Sequence, residues 1–490
     1  SSRPKGICRN PKAAKEFGGT TSGETFWQAA RGGWFDTISL APPGPGPCWK
    51  QSENPMDSLD GYSHDHPHPT LPHLRWWVCA LLFCGTTINY IDRGTIAILA
   101  PHLQQIFHFT ESDYGWIIAA FMWAYAIGML ISGGIIDWLG TRIGYAISMG
   151  WWGLATIGHA FARGVLSFGV ARFMLGAGEA GNFPASIKAV AEWFPKRERA
   201  LATGIFNSGT NIGNVVAYPL VGVILIHWGW KAAFIVTGLF ALGIMMVWLA
   251  LYQTPRLHRW LSLEELRKIE LREPGEEEEP EAKIEWRRLL RYRQTWGFVA
   301  GKFLTDPIWW FYIFWLPKYL VQARGFSIEQ LAWFGTIPFI AANIGGVGGG
   351  WLSGFLMRRG WSVNAGRKTA MAVCAFSMPA GIAAVLTGKI WLALVLISVS
   401  TSAHQGWSAN IFTLASDIFP KRDVASVVGI GGAAGAVGGM IIAPLAGYIL
   451  QFTHSYVPLF IICGTMHPLA LGLVHLIIPR IEPIAHPAQS

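Results

Sequence analysis

Apolar runs long enough to cross a bilayer recur along this chain, with short polar breaks between them. After a polar stretch at 1–73 they lie at about 75–100, 113–136, 143–161, 164–194, 199–226 and 230–253. A charged stretch, 254–294, intervenes. Six more runs lie at about 295–321, 328–356, 366–386, 389–417, 424–451 and 455–479. A helix needs about 20 apolar residues to span the hydrocarbon core, and inside lipid a helix satisfies its own backbone groups. The pattern predicts an all-α membrane protein with twelve transmembrane helices in two six-helix halves. The expected domains are a polar tail (1–73), a first bundle (74–253), a charged linker (254–294), a second bundle (295–480) and a tail (481–490). The tail at 1–73 is rich in Pro, Gly and His without periodicity and reads as disordered. It holds no apolar core of a signal peptide. The chain starts on Ser, and Met56 is its first methionine; a tag, a misassigned start and a native tail all fit. Its alternating His64, His66, His68 and His73 read as incidental rather than as a metal site.

Composition agrees with the pattern. The 490 residues are 52% hydrophobic and 14% charged, against roughly 25% charged in soluble proteins. The net charge of +9 is a topology signal and not a nucleic-acid footprint. Arg142, Lys196, Arg197, Arg199, Arg358, Arg359, Arg367, Lys368, Lys421 and Arg422 fall in one set of loops together with the middle stretch. The opposite loops hold Arg163, Lys231, Lys318, Arg324 and Lys389. The richer set is expected in the cytoplasm, which places both termini inside. Six scattered cysteines form neither a disulfide framework nor a metal spacing.

The two halves repeat each other. Phe194-Pro-Lys-Arg197 recurs as Phe419-Pro-Lys-Arg422, an offset of 225 that also matches Ala200, Gly204, Gly213, Pro219 and Gly222 with Ala425, Gly429, Gly438, Pro444 and Gly447. Phe109 and Trp116 match Phe326 and Trp333 at an offset of 217. Repeated halves place a substrate site between them, near the midplane. Glycines crowd the fifth, eighth and eleventh spans, among them Gly345, Gly346, Gly431 and Gly432. They read either as sliding contacts between rocking halves or as close packing alone.

Charged residues inside apolar runs point to the chemistry. Each costs roughly 2.5–3.5 kcal/mol on insertion scales and usually faces a bundle interior or a wet cavity. Arg172 and Glu179 in the fourth span are two turns apart on one face, about 10 Å along the axis. In the first span Asn89, Asp92 and Arg93, at i, i+3 and i+4, are expected to share a face. Arginine keeps its charge and grips carboxylates bidentately, so proton loading of a carboxylate can depend on whether an anion occupies the arginine. That is the logic of an anion–proton symporter; a structural lock of four charges is the alternative. In the fifth span Asn207, Thr210, Asn211, Asn214 and Tyr218 form one polar stripe, fit for sugar hydroxyls or for neighbouring helices. His404, Gln405 and Asn410 lie in the tenth span, and the 225 offset sets His404 opposite Glu179. Lys302 and Asp306 can be a local i, i+4 pair, yet Lys302, like His404, Gln405 and Asn410, is expected among the substrate-binding residues. Trp309 and its aromatic neighbours offer either a platform for a sugar ring or lipid packing. There is no nucleotide loop, HExxH or CxxC motif: no enzyme chemistry, cofactor or metal is expected.

Gly133-Gly-Ile-Ile-Asp137-Trp-Leu-Gly140-Thr-Arg142 resembles the loop 2–3 gating motif of the major facilitator superfamily. Asn89 through Arg93 and Arg172 through Pro184 resemble its anion:cation symporter branch. Lys302 through Tyr312, Phe206 through Gly213 and His404 through Asn410 resemble its hexuronate transporters. The likeness covers about residues 74–480. It implies alternating access and proton-coupled symport of a sugar acid such as glucuronate or galacturonate, by a monomer in a bacterial cytoplasmic membrane. Asp92 and Glu179 would be the protonatable pair, Arg93 and Arg172 would hold or couple the substrate carboxylate, and Tyr90 and Tyr125 would line the site. Thr210 stands where galactonate-type relatives carry Gln, which argues against galactonate. Gly354 lacks the acidic residue expected in the second-half loop motif, so the two halves are not expected to gate through identical contacts. The rivals are a symporter of an aldonate or other organic anion, a sodium- or exchange-driven relative, and a non-transporting sensor on the same fold.

Overall fold

The computed structural model describes residues 70–270 and 286–484. The readings on the tail before residue 70, on the acidic run Glu276 to Glu279 and on the last six residues lie outside the described residues. The described chain is helical: α1 (Leu74–Phe107), α2 (Glu111–Leu139), α3 (Thr141–Gly158), α4 (Val165–Glu179), α5 (Asn182–Trp193), α6 (Lys196–Leu251), then α7 (Leu263–Glu270) and α8 (Trp286–Leu289) in the linker. The second half holds α9 (Arg293–Gln322), α10 (Ile328–Phe334), α11 (Ile337–Arg358), α12 (Val363–Ser377), α13 (Ala380–Leu386), α14 (Ile390–Ile418), α15 (Lys421–Thr453) and α16 (Val457–Ile477). The twelve expected spans are all present, three of them in two pieces. The 56 residues of α6 would measure about 84 Å as one helix; they are two spans joined at Gly229, whose φ of +80° suits glycine.

The fourth span is broken in mid-membrane where its apolar run looked continuous. Pro184 has no N–H to give the Ala180 carbonyl, so the Ser132 hydroxyl of α2 donates to it at 3.2 Å. Ser148 of α3 donates to the Gly178 carbonyl at 2.6 Å. Asn182 restarts the helix while bonded to Tyr145 Oη at 2.6 Å. Neighbouring helices thus satisfy the freed backbone, as the bilayer requires. The break leaves pieces of 15 and 12 residues, and Glu179 is the last residue of the first.

The glycine rows of the fifth, eighth and eleventh spans pack within each half. A Cβ on Gly209 or Gly213 would strike α1 at Phe83, Thr87 and Tyr90, one on Gly345 or Gly349 would strike α14, and one on Gly438 or Gly439 would strike α9. Further along the same three spans, and at Gly115 of the second span, glycines make close approaches between the halves. Gly115 meets Ala443 and Pro444, Gly447 meets Glu111 and Ser112, Gly222 meets Ala332, and Gly335 meets Tyr218.

These contacts cluster at the end opposite the basic loops. There Lys318, which counted as a loop residue in the sequence, is fully buried and ion-paired with Glu111. Tyr114 Oη donates to the Phe314 carbonyl at 2.7 Å, Trp116 Nε1 to Tyr448 Oη at 3.0 Å, and the Ser112 amide to Gln451 at 3.2 Å. Exposure along the fifth span marks where the closure begins. Asn207 is exposed, Thr210 and Asn211 are half-buried, and Asn214 and Tyr218 are buried. Tyr218 meets Phe339 of the second half, ring centroids 5.4 Å apart, so this stripe faces the other half. The stripe is thus exposed toward the basic loops and closed off at Tyr218, where the halves meet.

At the basic-loop end Arg75 pairs with Glu198 at 2.9 Å and with Glu265 of α7 at 2.7 Å. Glu265 also accepts the Leu74 amide at 3.1 Å, so a linker helix supplies a partner for the first turn of α1.

Candidate functional site

Arg93, midway along α1, reaches across to α4. Its Nε and Nη2 both donate to Glu179 Oε2, at 2.9 and 2.8 Å. Nη2 also lies 3.3 Å from Asn89 Oδ1, one turn back. Arg172 does not pair with Glu179 on its own helix; its Nη2 donates to the Arg93 backbone carbonyl at 3.0 Å. The Arg93 guanidinium is wrapped by rings, with centroids at 4.4 Å (Tyr90), 4.8 Å (Tyr125), 5.2 Å (Phe121) and 5.4 Å (Trp310). Phe121 and Phe314 cover Arg172 at 5.0 and 5.6 Å. Ring faces favour a cation, and Trp310 and Phe314 belong to the second half, so the cage straddles the interface.

The charges in this cage are buried, and their polar capacity is only partly used. Arg93 Nη1, Arg172 Nε and Nη1, Glu179 Oε1 and Asn89 Nδ2 have no hydrogen-bond partner among the described residues. Buried polar atoms are bonded in the great majority of cases. Three idle guanidinium donors in one place form an arrangement suited to an anion.

Asp92 departs from the face expected for it. Consecutive helical residues point about 100° apart, and Asp92 turns away from the cage, toward the Thr237 hydroxyl and the Trp152 indole. Neither makes a hydrogen bond of ordinary geometry with it, and both its oxygens are unpartnered among the described residues. Asn89 and Arg93 do share a face; Asp92 sits between α1, α3 and the second span of α6.

In the second half, His404 stacks on Trp309 with ring planes 2° apart and centroids 5.2 Å apart. Gln405 and Trp309 are half-buried. Asn410 is fully buried. Its Nδ2 donates to the Gly349 and Gly406 carbonyls, both at 2.9 Å, where α11 and α14 cross, because two glycines let these backbones meet and a side-chain amide bridges them. Lys302 and Asp306 pair at 2.8 Å on one helix, with the Lys302 ammonium 4.0 Å from the Phe412 ring. They face α14 and α15 as a local lock.

The loop motif lies at the basic-loop end. Gly140 has φ +77° and Gly133 borders open space. Asp137 pairs with Lys188 of its own half at 2.7 Å. Arg142 donates to the Leu249 carbonyl, and its own carbonyl accepts Trp248 Nε1 at 3.0 Å. The repeat counterpart of Arg142 is Arg367, which pairs with Asp417 at 2.9 Å and donates to Ser353 at 2.8 Å. Lys188 and Lys318 had no signal in the sequence that assigned them partners.

An apolar groove of about 930 Å³ lies between α3 and α4 and is lined by Trp151, Leu154, Val165, Leu166, Val170 and Met174. Leu166 and Leu154 are largely exposed there, so it opens to lipid, away from the charges.

Repeated helical halves that enclose a buried arginine–carboxylate site and close on each other at the end opposite the basic loops have the build of a secondary transporter. The chain belongs to the Major Facilitator Superfamily, whose family model matches residues 82–403. It is a membrane transporter and not an enzyme. It is 34% identical over 391 residues to the hexuronate transporter of Escherichia coli (strain K12), covering 79% of this chain and 90% of that one. It is 36% identical over 293 residues to the galacturonate transporter of Dickeya chrysanthemi, covering 59% and 84%. In fold it resembles the inward-facing, unoccupied structure of a bacterial homolog of the human lysosomal transporter Spinster, with a TM-score of 0.64 and 18% identity over 84% of this chain and 96% of that one.

Proposed function

We propose that this transporter carries a sugar-acid anion, a hexuronate first, together with protons by alternating access. The observation that carries the reading is the set of idle donors on Arg93 and Arg172 behind an aromatic cage that both halves build. A substrate carboxylate suits that fork, and sugar hydroxyls suit the polar stripe of Asn207, Thr210 and Asn211 with Gln405 and Trp309 opposite. The names of the hexuronate and galacturonate relatives favour the same class.

Coupling follows from competition. Glu179 Oε2 holds two donors of Arg93, and an incoming carboxylate needs the same guanidinium. A proton on Glu179 weakens the ion pair and frees the fork. An anion and a proton then enter as one neutral load, which leaves the count of buried charges unchanged. Asp92, one residue along and off the cage, is the second proton carrier in this reading. Asn410 and Lys302 are left with structural roles. The spans in 74–253 and 295–480 rock as two bodies on the linker 254–294. The basic loops lie in the cytoplasm of a bacterial cell in this reading, which turns the exposed end of the polar stripe inward and the closed end at Tyr218 outward. The working unit is a monomer.

The test is uptake of labelled glucuronate and galacturonate into proteoliposomes. Accumulation should require an inward proton gradient and make the external medium more alkaline. Sodium-dependent accumulation without a proton gradient removes the coupling assignment, and binding without flux makes the chain a sensor.

A further inference from the structure

The second half contains a buried histidine pair that this mechanism does not use. His404 Nδ1 lies 3.1 Å from His467 Nε2 of α16. His467 is fully buried, and its ring stands edge-on to Trp407 at 5.5 Å. Its other nitrogen, Nδ1, has no partner among the described residues. His404 is held flat against Trp309 and is 3% exposed. Its Nε2 is bonded to no described residue and is not among the sealed polar atoms, so the remaining exposure includes that atom. Trp309 touches Phe339, which touches Tyr218 of the first half, so the His404–Trp309 stack borders the interface between the halves.

Hydrogen bonding sets the protons. One nitrogen at the 3.1 Å contact donates and the other accepts. Neither ring has an ion-pair partner among the described residues, so the neutral pair is the arrangement that buries no unpaired charge. If His404 donated from Nδ1, His467 would carry its proton on Nδ1, an N–H buried with no acceptor. If His467 donates from Nε2, its Nδ1 is only an unused lone pair. Orphaned N–H groups are the rarer of the two in folded proteins. The second arrangement leaves His404 with its own proton on Nε2.

We propose that His467 is a positioning residue: it fixes the tautomer of His404 so that Nε2–H is a free donor beside the interface of the halves, for a hydroxyl or carboxylate oxygen of the sugar acid. The inference rests on the sugar-acid reading for its ligand but not for its tautomer. A partner on one imidazole nitrogen sets which proton the other presents. The pair thus gives the second half a directional polar contact, beside the charge contact of the first half. Such a contact rejects ligands lacking the matching oxygen, because the donor is then left unpaired.

Two measurements on the full-length purified protein test this. The first is ¹⁵N NMR of histidine-labelled protein, which reads imidazole tautomers whether or not a ligand binds. His404 should be the Nε2–H form in the unmodified protein and in His467→Gln, whose amide can supply the same donor. His467→Leu should convert it to a mixture. An Nδ1–H tautomer in the unmodified protein overturns the proposal. The second is glucuronate affinity in a double-mutant cycle. His467→Leu should weaken binding about tenfold, and His467→Gln should return it to within about threefold, the size of one neutral hydrogen bond. Adding His467→Leu to His404→Ala should cost nothing further. Equal losses in both backgrounds, without rescue by Gln, mean a structural role and overturn the proposal. Absent binding of both glucuronate and galacturonate by the unmodified protein counts against the sugar-acid reading, and the NMR result then decides the tautomer alone.

Discussion

The two halves share one architecture and carry different chemistry. The offsets of 217 and 225 map Arg93 onto Trp310 and Glu179 onto His404. Arg93 and Trp310 meet across the interface, the cation 5.4 Å from the ring. The first half therefore supplies buried charge with unused hydrogen-bonding capacity, and the second adds the rings of Trp310 and Phe314. Within the second half Lys302 pairs with Asp306 and the half-buried Arg367 with Asp417, while the fully buried Lys318 pairs across the interface with Glu111. A repeated frame places equivalent positions opposite each other, and divergence can then give one half the anion and the proton and the other the shape of the ligand. Two charged walls would impose the desolvation cost twice for one carboxylate.

The change expected to break this asymmetry most is Glu179→Gln. It keeps the shape and an acceptor for Arg93 but cannot release a proton. Accumulation driven by a pH gradient should vanish, while substrate binding and exchange of labelled for unlabelled substrate persist. Undiminished accumulation in proteoliposomes excludes Glu179 as the coupling group; loss of expression, binding and exchange together indicates a structural lock.

Arg93→Lys comes next. Lysine keeps the charge and loses the planar fork. Losing a charge-assisted hydrogen bond should cost about 1.5–3 kcal/mol, roughly ten- to over a hundredfold in affinity. Isothermal titration with glucuronate checks it, and an unchanged affinity removes Arg93 from the binding site.

A smaller effect is expected where the halves meet without sharing the ligand. Glu111→Gln leaves the buried Lys318 without its counter-charge and should weaken the sealed end. Glu111 keeps a quarter of its side-chain exposure, so a shift of about 1.4 kcal/mol, tenfold in the equilibrium between the two openings, is the expected scale. Thiol labelling of Asn207→Cys reads it: labelling from the basic-loop side should fall as labelling from the opposite side rises. No change on either side shows that this pair does not hold the closure.

Much of the molecule is legible in one dimension. Spans longer than a bilayer, a repeat register and charges stranded at membrane depth follow from residue type and spacing. A pair one turn apart on a single helix, Lys302 with Asp306, follows too, because helix geometry alone brings the two together. The break at Ala180–Gly181 was not read in the continuous apolar run 164–194, nor was its repair by Ser132 and Ser148.

Tertiary structure decided which charges are partners. A 3.6-residue period says which residues share a face and is silent on which helix that face meets. Arg93 took Glu179 from a helix 86 positions away, Arg172 took a backbone carbonyl, and Asp92 was turned into the interior of its own half. The same held for Asn410, drawn into a helix crossing by glycines on another span, and for Lys318, a loop cation by position and a lock between halves in space. Sequence alone determined that this chain buries charge in a membrane. Only the packing of helices distant in sequence decided which donors were left free to meet an anion, since each pairing depends on the rotation and contact of two helices at once.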